Sequence, residues 1–220
     1  MSTGYTFEQE QHILSEIDAM LGVFDSTVPF KEERGNPVDD VLYACAAITG
    51  GIHLYNAYRK FGVNSIARLN EAKPGYYKKF VFERNIREGV AMGEYLRKIR
   101  RYRYVIVPGK VYASGWLQHH YLLFWKEVLR TKADRIAVKR GWHYSNGQAI
   151  EFVFGLQHGL PVLDESGKNL LDPRREIKEF ERAINNLGKI GADTASLINS
   201  FAEIQIFLRH PVVTKIAAGR

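Results

Sequence analysis

Apolar residues along the chain alternate between short continuous runs and longer stretches with helical spacing. The runs are typical of buried strands and cover residues 41–48, 102–108, 135–139 and 159–163. The stretches predict helices and cover residues 83–100, 116–131 and 147–158. Strands that alternate with helices form a parallel sheet with helices on both faces. The pattern therefore predicts an α/β fold.

Both ends of the chain, and one segment after the first predicted strand, lie outside this alternation. Helical spacing over residues 7–24 predicts an N-terminal helix, and the prolines and glycine of DSTVPFKEERGNPVDD predict a linker after it. Residues 52–80 are interpreted as an insertion, and two further helices are predicted over 172–191 and 192–210. We therefore predict three parts: an N-terminal helix and linker (1–39), an α/β domain (40–165) and a C-terminal helical extension (166–220).

The composition is that of an ordinary globular protein, with 45% hydrophobic and 25% charged residues in 220. No apolar run reaches the roughly 18 residues of a membrane span, and residues 1–11 do not have the pattern of a secretion signal. The single cysteine, Cys45, lies in an apolar run and cannot form an internal disulfide. We therefore expect a cytoplasmic protein without a membrane partner.

The formal net charge of +7 favours contact with anions, which include nucleotides, nucleic acid and acidic surfaces. The net charge alone does not distinguish among these three kinds of partner. Neither G-x-G-x-x-G after a strand nor G-x-x-x-x-G-K-[ST] occurs, which argues against a dinucleotide oxidoreductase and a P-loop enzyme. The pair His119 and His120 has no further histidine or cysteine at metal-ligand spacing. We expect no cofactor and no metal.

Ligands of open parallel sheets bind beyond the carboxyl ends of the strands, which directs attention to loops 49–51, 108–115 and 141–147. The last loop continues as GWHYSNGQAIE, with Ser145 and Gly147 at a predicted helix N-terminus, where backbone N–H groups attract an anion. Glu151 follows one turn later on the same face. It is either a nucleophile toward a sugar carbon or an acid that stabilises the start of its helix.

The run YSNGQAIEFVFGLQHGLPVL, preceded by KADRIAVKRGW, resembles the nucleoside 2-deoxyribosyltransferase superfamily. The resemblance implies a Rossmann-like (flavodoxin-like) sheet and makes Glu151 the nucleophile that attacks C1 of the deoxyribose. Ser145 falls on the serine that holds phosphate in the branch that hydrolyses deoxynucleoside 5'-monophosphates. The backbone N–H groups near Gly147 would contribute to the same anchor.

The first predicted strand and its loop, VLYACAAITGG, look like the corresponding segment of that same N-glycosidase branch. The resemblance places Tyr43 near the sugar and the loop residues Ile48, Thr49 and Gly50 against the substrate. The branch has a serine and an arginine in this loop, whereas this chain has Ala47 and Thr49. Phosphate binding by this loop would depend on backbone N–H groups and Thr49.

Two further residues complete the predicted site. The family has a second carboxylate about two helical turns before the strand-opening aspartate. Glu127 is the residue that could substitute for it. The alternative is that Glu127 is a solvated glutamate paired with neighbouring cations. Trp142 lies near the carboxyl end of a predicted strand and either stacks on a base or belongs to the core. Asp134, which opens that strand at its other end, is expected to be structural.

The sequence therefore predicts an N-glycosidase that hydrolyses the base–sugar bond of a (deoxy)nucleoside 5'-monophosphate. Base exchange by a nucleoside deoxyribosyltransferase and NAD hydrolysis by a TIR-like enzyme are the related alternatives. A non-catalytic module that binds nucleotides or nucleic acid is the alternative of another class. A homo-oligomer, specifically a dimer, is the expected assembly.

Overall fold

A computed structural model describes residues 7–28, 31, 41–99, 102–111 and 113–209. Within these residues, four strands form one parallel sheet in the order β2-β1-β3-β4. This is the strand order of a flavodoxin-like sheet. The predicted α/β class, with a Rossmann-like sheet, is confirmed. The strands are β1 (Val41–Cys45), β2 (Tyr104–Ile106), β3 (Arg135–Val138) and β4 (Val162–Leu163).

Eight α-helices surround this sheet within the described residues. A single π-helical turn (Lys78–Phe82) leads directly into the fourth helix, and short 3-10 turns follow β2 and β3. The helices are α1 (Phe7–Thr27), α2 (Ile52–Phe61), α3 (Ile66–Ala72), α4 (Glu83–Lys98), α5 (Gln118–Thr131), α6 (Asn146–Gln157), α7 (Pro173–Lys189) and α8 (Ala195–Arg209). None of them, over the residues described, is long and apolar enough to cross a membrane.

Alternate side chains of the central strand β1 point to opposite faces of the sheet, as the period of a strand requires. Leu42 and Ala44 pack with Met92 and Leu96 of α4 on one face. Tyr43 and Cys45 belong to the larger cluster that α5 and α6 share on the other face. Helices therefore cover both faces, and every residue of β1 is buried.

Two glycines let α4 approach the sheet closely. A Cβ on Gly93 would lie 2.3 Å from a methyl group of Val107, and a Cβ on Gly89 would lie 3.0 Å from the Cβ of Ala46. Side chains larger than hydrogen at these positions would push the helix away from the ends of β1 and β2. This close packing positions the first turns of α4 beside the loop that follows β1.

The terminal helices contribute to the same hydrophobic core as the α/β unit. Ile17 of α1, Phe180 of α7 and Ile204 of α8 all belong to the large cluster around α5 and α6. Asp172 caps α7 by accepting a hydrogen bond from the Arg174 N–H, and a proline occupies the first helical position. Most of the linker predicted over residues 25–40 lies outside the described residues.

The segment interpreted as an insertion consists of α2, α3 and the start of the π-helical turn. It has a small apolar cluster of its own, centred on Ala57, Tyr58, Leu69 and Val81. Since α2 begins directly after the loop that follows β1, this segment also forms one side of the space above the carboxyl ends of the strands.

Candidate active site

The candidate site is a cleft at the carboxyl ends of the two central strands, β1 and β3. The chain leaves β1 toward one edge of the sheet and β3 toward the other, and open α/β sheets bind ligands at such a switch point. The loops that follow these strands are joined here, because the Gly51 N–H donates to the Tyr144 carbonyl over 3.1 Å. The cleft has a volume of about 700 Å³, and its lining includes His53, Asn85, Glu88, Lys139, Gln148 and Glu176.

Glu151 is held by two side chains of β1. The Tyr43 hydroxyl donates to Oε1 over 2.6 Å, and the Cys45 thiol donates to Oε2 over 2.8 Å. Both donors point to the same face of the sheet because they are two residues apart in the strand. Glu151 is 7% exposed, while Tyr43 and Cys45 are fully buried. The structure thus brings together Glu151 and Tyr43, two of the predicted site residues.

The three buried groups perturb one another's protonation. Burial raises the pKa of the Glu151 carboxyl from 4.5 to about 7, although the hydrogen bonds from Cys45 and Tyr43 act in the opposite direction. Burial and the charge of Glu151 raise the pKa of the Tyr43 hydroxyl and of the Cys45 thiol well above their ordinary values. Both therefore keep their protons near neutral pH and remain hydrogen-bond donors. A carboxyl with this pKa exists in both forms near neutral pH and can act as a nucleophile or a base.

Gln148 lies about one turn before Glu151 on α6 and connects it to the cleft. Its side chain lines the cleft, and its amide donates to the Cys45 carbonyl over 2.9 Å. Residues three apart in a helix are neighbours on one face, so Gln148 and Glu151 are adjacent. Glu151 does not itself line the cleft.

The loop after β1 is fixed by side chains from outside the strand. The buried Asn85 amide donates to the carbonyls of Ile48 and Gly50, over 3.0 and 2.8 Å. The Tyr77 hydroxyl donates to the Thr49 carbonyl over 3.1 Å. The backbone of Ile48, Thr49 and Gly50 is therefore fixed beside the site, although none of the three residues lines the cleft.

The start of α6 is also preorganised. Ser145 is buried and caps the helix, with its hydroxyl 3.5 Å from the Gln148 N–H. A Cβ on Gly147 would meet nothing within 4 Å, so open space adjoins this helix N-terminus. The first N–H groups of a helix lack partners within the helix and favour an anion. Ser145 and Gly147 lie next to the cleft and are not part of its lining.

Charged side chains in the cleft form a network around Glu88. Its carboxylate accepts hydrogen bonds from Arg84 over 2.8 Å and from His53 over 3.1 Å, and it lies 3.3 Å from the Lys139 ammonium. Burial acts to raise the pKa of Glu88, but these hydrogen bonds and the charges of His53 and Lys139 outweigh it and lower the pKa to about 2. Glu88 therefore stays ionised and holds His53 and Lys139 at the cleft. His143 and Glu176 form a second pair, over 2.8 Å.

Two predicted site residues and one predicted loop are corrected by the structure. Glu127 is partly exposed on α5, where its carboxylate accepts hydrogen bonds from Arg130, and it neither lines the cleft nor bonds to Glu151. Trp142 is only 2% exposed and stacks on Phe152, with ring centroids 4.2 Å apart, so it belongs to the core and offers no face to a base. None of the described residues of loop 108–115 lines the cleft. Asp134 accepts a hydrogen bond from the Val41 N–H and joins the amino ends of β1 and β3, on the side of the sheet away from the cleft.

Asn85, Glu88 and Gln148 were missed by the sequence reasoning. One signal for Asn85 existed in the sequence, because Asn85, Gly89 and Gly93 are spaced four residues apart and share one buried face of α4. Small and polar residues on the inward face of a helix indicate close approach to backbone. Glu88 and Gln148 gave no such signal, since polar residues in helices are usually solvated.

Within the described part of the chain, no three histidine, cysteine, aspartate or glutamate side chains cluster so as to hold a metal ion. Comparisons with protein-family models, with characterised proteins and with solved structures gave no match to this chain.

Proposed function

We propose that this protein is an N-glycosidase that cleaves the base–sugar bond of a nucleotide, with Glu151 as the nucleophile. The observation that carries the proposal is the buried carboxylate, held by Tyr43 and Cys45 beside a cleft at the switch point of the sheet. The resemblance of two distant sequence segments to nucleoside deoxyribosyltransferases supports the same assignment, because it selects Glu151 and Tyr43 independently of their contact.

The chemistry requires Glu151 in its ionised form. One carboxylate oxygen attacks the anomeric carbon, the carbon–nitrogen bond breaks, and the base leaves with the electron pair and takes up a proton. Water then attacks the glycosyl ester, which releases the sugar and restores the carboxylate. The donors Tyr43 and Cys45 stabilise the carboxylate in a site that burial would otherwise keep protonated. The rate should therefore rise with pH up to about 7.

The cleft suits a substrate of nucleotide size. Small-molecule sites occupy about 300 to 1,000 Å³, and this cleft has about 700 Å³. The N-termini of α2 and α6, which follow β1 and β3, lie at the rim of the cleft. Helix N-termini favour a phosphate group. Because Gln148 is the cleft-lining neighbour of Glu151, we expect the sugar to displace its amide from the Cys45 carbonyl.

His53 is the residue placed to protonate the departing base. It lines the cleft and is hydrogen-bonded to the ionised Glu88, whereas Glu127 pairs with Arg130 on the surface. A carboxylate that is hydrogen-bonded to an imidazole fixes the orientation of the ring, and Glu88 does so for His53. His53 thus takes the place that the sequence assigned to a second carboxylate.

Incubation with a panel of nucleoside monophosphates, nucleosides and NAD, followed by chromatographic detection of free base, tests the proposal. Glu151→Gln keeps the size of the side chain but cannot form the glycosyl ester, so it should abolish base release. Glu127→Gln is the matched control and should retain activity. No free base from any substrate, or more than a few per cent of activity in Glu151→Gln, would contradict the proposal.

A further inference from the structure

A cluster of three aromatic rings lies at the surface of the segment that was interpreted as an insertion. The ring centroids of Phe61 and Tyr76 are 4.7 Å apart, and those of Tyr76 and Phe80 are also 4.7 Å apart. Phe61 and Tyr76 are partly buried against the small cluster around Leu69, but Phe80 is 47% exposed. Phe80 therefore packs against Tyr76 and still offers about half of its surface to solvent, where a ligand can contact it.

Lysine side chains accompany the rings. The Lys60 ammonium lies 5.2 Å from the ring centroid of Phe61 and 5.4 Å from that of Tyr76. The Lys79 ammonium lies 5.4 Å from the ring centroid of Phe80. Both lysines are exposed, and neither has an acidic partner among the ion pairs of the described residues. We call Lys60, Phe61, Tyr76, Lys79 and Phe80 the aromatic–basic ridge.

The aromatic–basic ridge is continuous with the candidate active site. Lys79 and Phe80 lie on the π-helical turn, and Arg84, one turn further along, already lines the cleft. The neighbouring Tyr77 donates a hydrogen bond to the carbonyl of Thr49 in the loop after β1. Single π-helical turns occur frequently at functional sites, and this one turns Lys79 and Phe80 toward solvent.

We propose that the aromatic–basic ridge binds single-stranded nucleic acid without sequence preference. Proteins that do so combine rings on which bases stack with cations that contact the backbone phosphates, and the ridge supplies both. The net charge of +7 adds long-range attraction for a polyanion. A duplex hides its base faces, and an anionic membrane would engage a broader apolar surface than one exposed phenylalanine, so neither fits the ridge as well.

Fluorescence anisotropy with a labelled oligothymidylate of about 12 nucleotides tests this binding directly. Phe80→Ala should weaken binding about tenfold, because stacking on one ring contributes that much or more. Phe80→Trp keeps a ring and should retain binding. Tyr95→Ala is the matched control, since Tyr95 is 43% exposed on α4 outside the ridge, and it should leave the affinity unchanged.

The lysines are tested by the salt dependence of the same affinity. Lys79→Gln should reduce the slope of log Kd against log salt by about 0.7, the value for one phosphate contact on a single strand. Lys178→Gln, an exposed lysine on α7, should not change the slope. The readout is binding without turnover, so a chain that lacks glycosidase activity can still pass this test.

Several outcomes would overturn the proposal. These are equal effects of Phe80→Ala and Tyr95→Ala, an absence of oligothymidylate binding at low salt, and binding of a DNA hairpin duplex at least as tight as that of the single strand. The same holds if Phe80→Ala impairs binding to vesicles of anionic phospholipid and leaves oligothymidylate binding unchanged, because the ridge would then be a membrane contact.

Discussion

Replacing Glu151 by glutamine removes a buried charge while it keeps the size of the side chain. The folded-state pKa of about 7 lies above the ordinary value of 4.5, so folding favours the protonated carboxyl. The contribution of Glu151 to the free energy of unfolding is fully present below about pH 4.5 and is lost as the pH rises to about 7. The difference between the two pKa values corresponds to about 3 kcal/mol of unfolding free energy at pH 8.

Urea unfolding of the natural protein and of Glu151→Gln at about pH 4 and pH 8 measures this effect. The variant should gain stability relative to the natural protein by about 3 kcal/mol between these two pH values. The lost acceptor for Cys45 or Tyr43 is the same at both pH values and cancels in the comparison. Taking this difference also cancels the titration of the other groups in the protein.

Glu88→Gln is the control with the opposite sign. Because the network around Glu88 lowers its pKa to about 2, its stabilising effect is present above pH 4.5 and is lost as the pH falls toward 2. Glu88→Gln should therefore lose stability relative to the natural protein at pH 8 more than at pH 4. A stability difference for Glu151→Gln that does not change with pH would refute the raised pKa, and with it the interpretation of Glu151 as a buried, activated carboxylate.

The other predictions concern the reaction and the packing of α4. Tyr43→Phe removes a hydrogen bond that lowers the pKa of the buried carboxyl, so the acid limb of the rate profile of base release should move to higher pH. His53→Gln should slow the release of poor leaving bases more than activated ones in a chromatographic assay, while Glu127→Gln leaves that ratio unchanged. Gly93→Ala should lower the unfolding free energy in urea by about 1 to 3 kcal/mol through a clash in the core. Gly188→Ala, at an open helical position, should raise it by about 0.5 to 1 kcal/mol.

The α/β architecture was predictable because each element left a local signal. The run VLYAC is apolar throughout, as expected of a strand buried on both faces, and β1 lies between β2 and β3. Helix α6 begins at a serine cap followed by open space at Gly147, which the sequence showed as Ser-Asn-Gly. The order of these elements then determined where the carboxyl ends of the strands meet, and Glu151 could be placed beside that edge.

The contacts within the site were much less predictable. Cys45 appeared only as a buried thiol, because its partner Glu151 is 106 residues away and no local pattern joins them. The sequence also could not show which of Glu127 and Glu88 would lie at the cleft. Both are helical glutamates near basic residues, and only the packing of α4 against the loop after β1 brings one of them to the cleft while the other remains with Arg130.

The pKa values of Glu88 and Glu151 are shifted in opposite directions because their hydrogen-bond partners differ in charge. Glu88 has cationic partners and stays ionised, whereas Glu151 has two neutral donors that satisfy its oxygens without supplying a charge. A cation beside Glu151 would lower its pKa and make it a weaker nucleophile, and an apolar pocket without donors would keep it protonated. Neutral donors on a central strand give the intermediate case, a carboxylate that is formed near neutral pH, as the proposed nucleophile requires. Under the proposed function, the raised pKa that costs stability at pH 8 also sets the acid limb of base release, so the unfolding and base-release experiments both measure the pKa of Glu151.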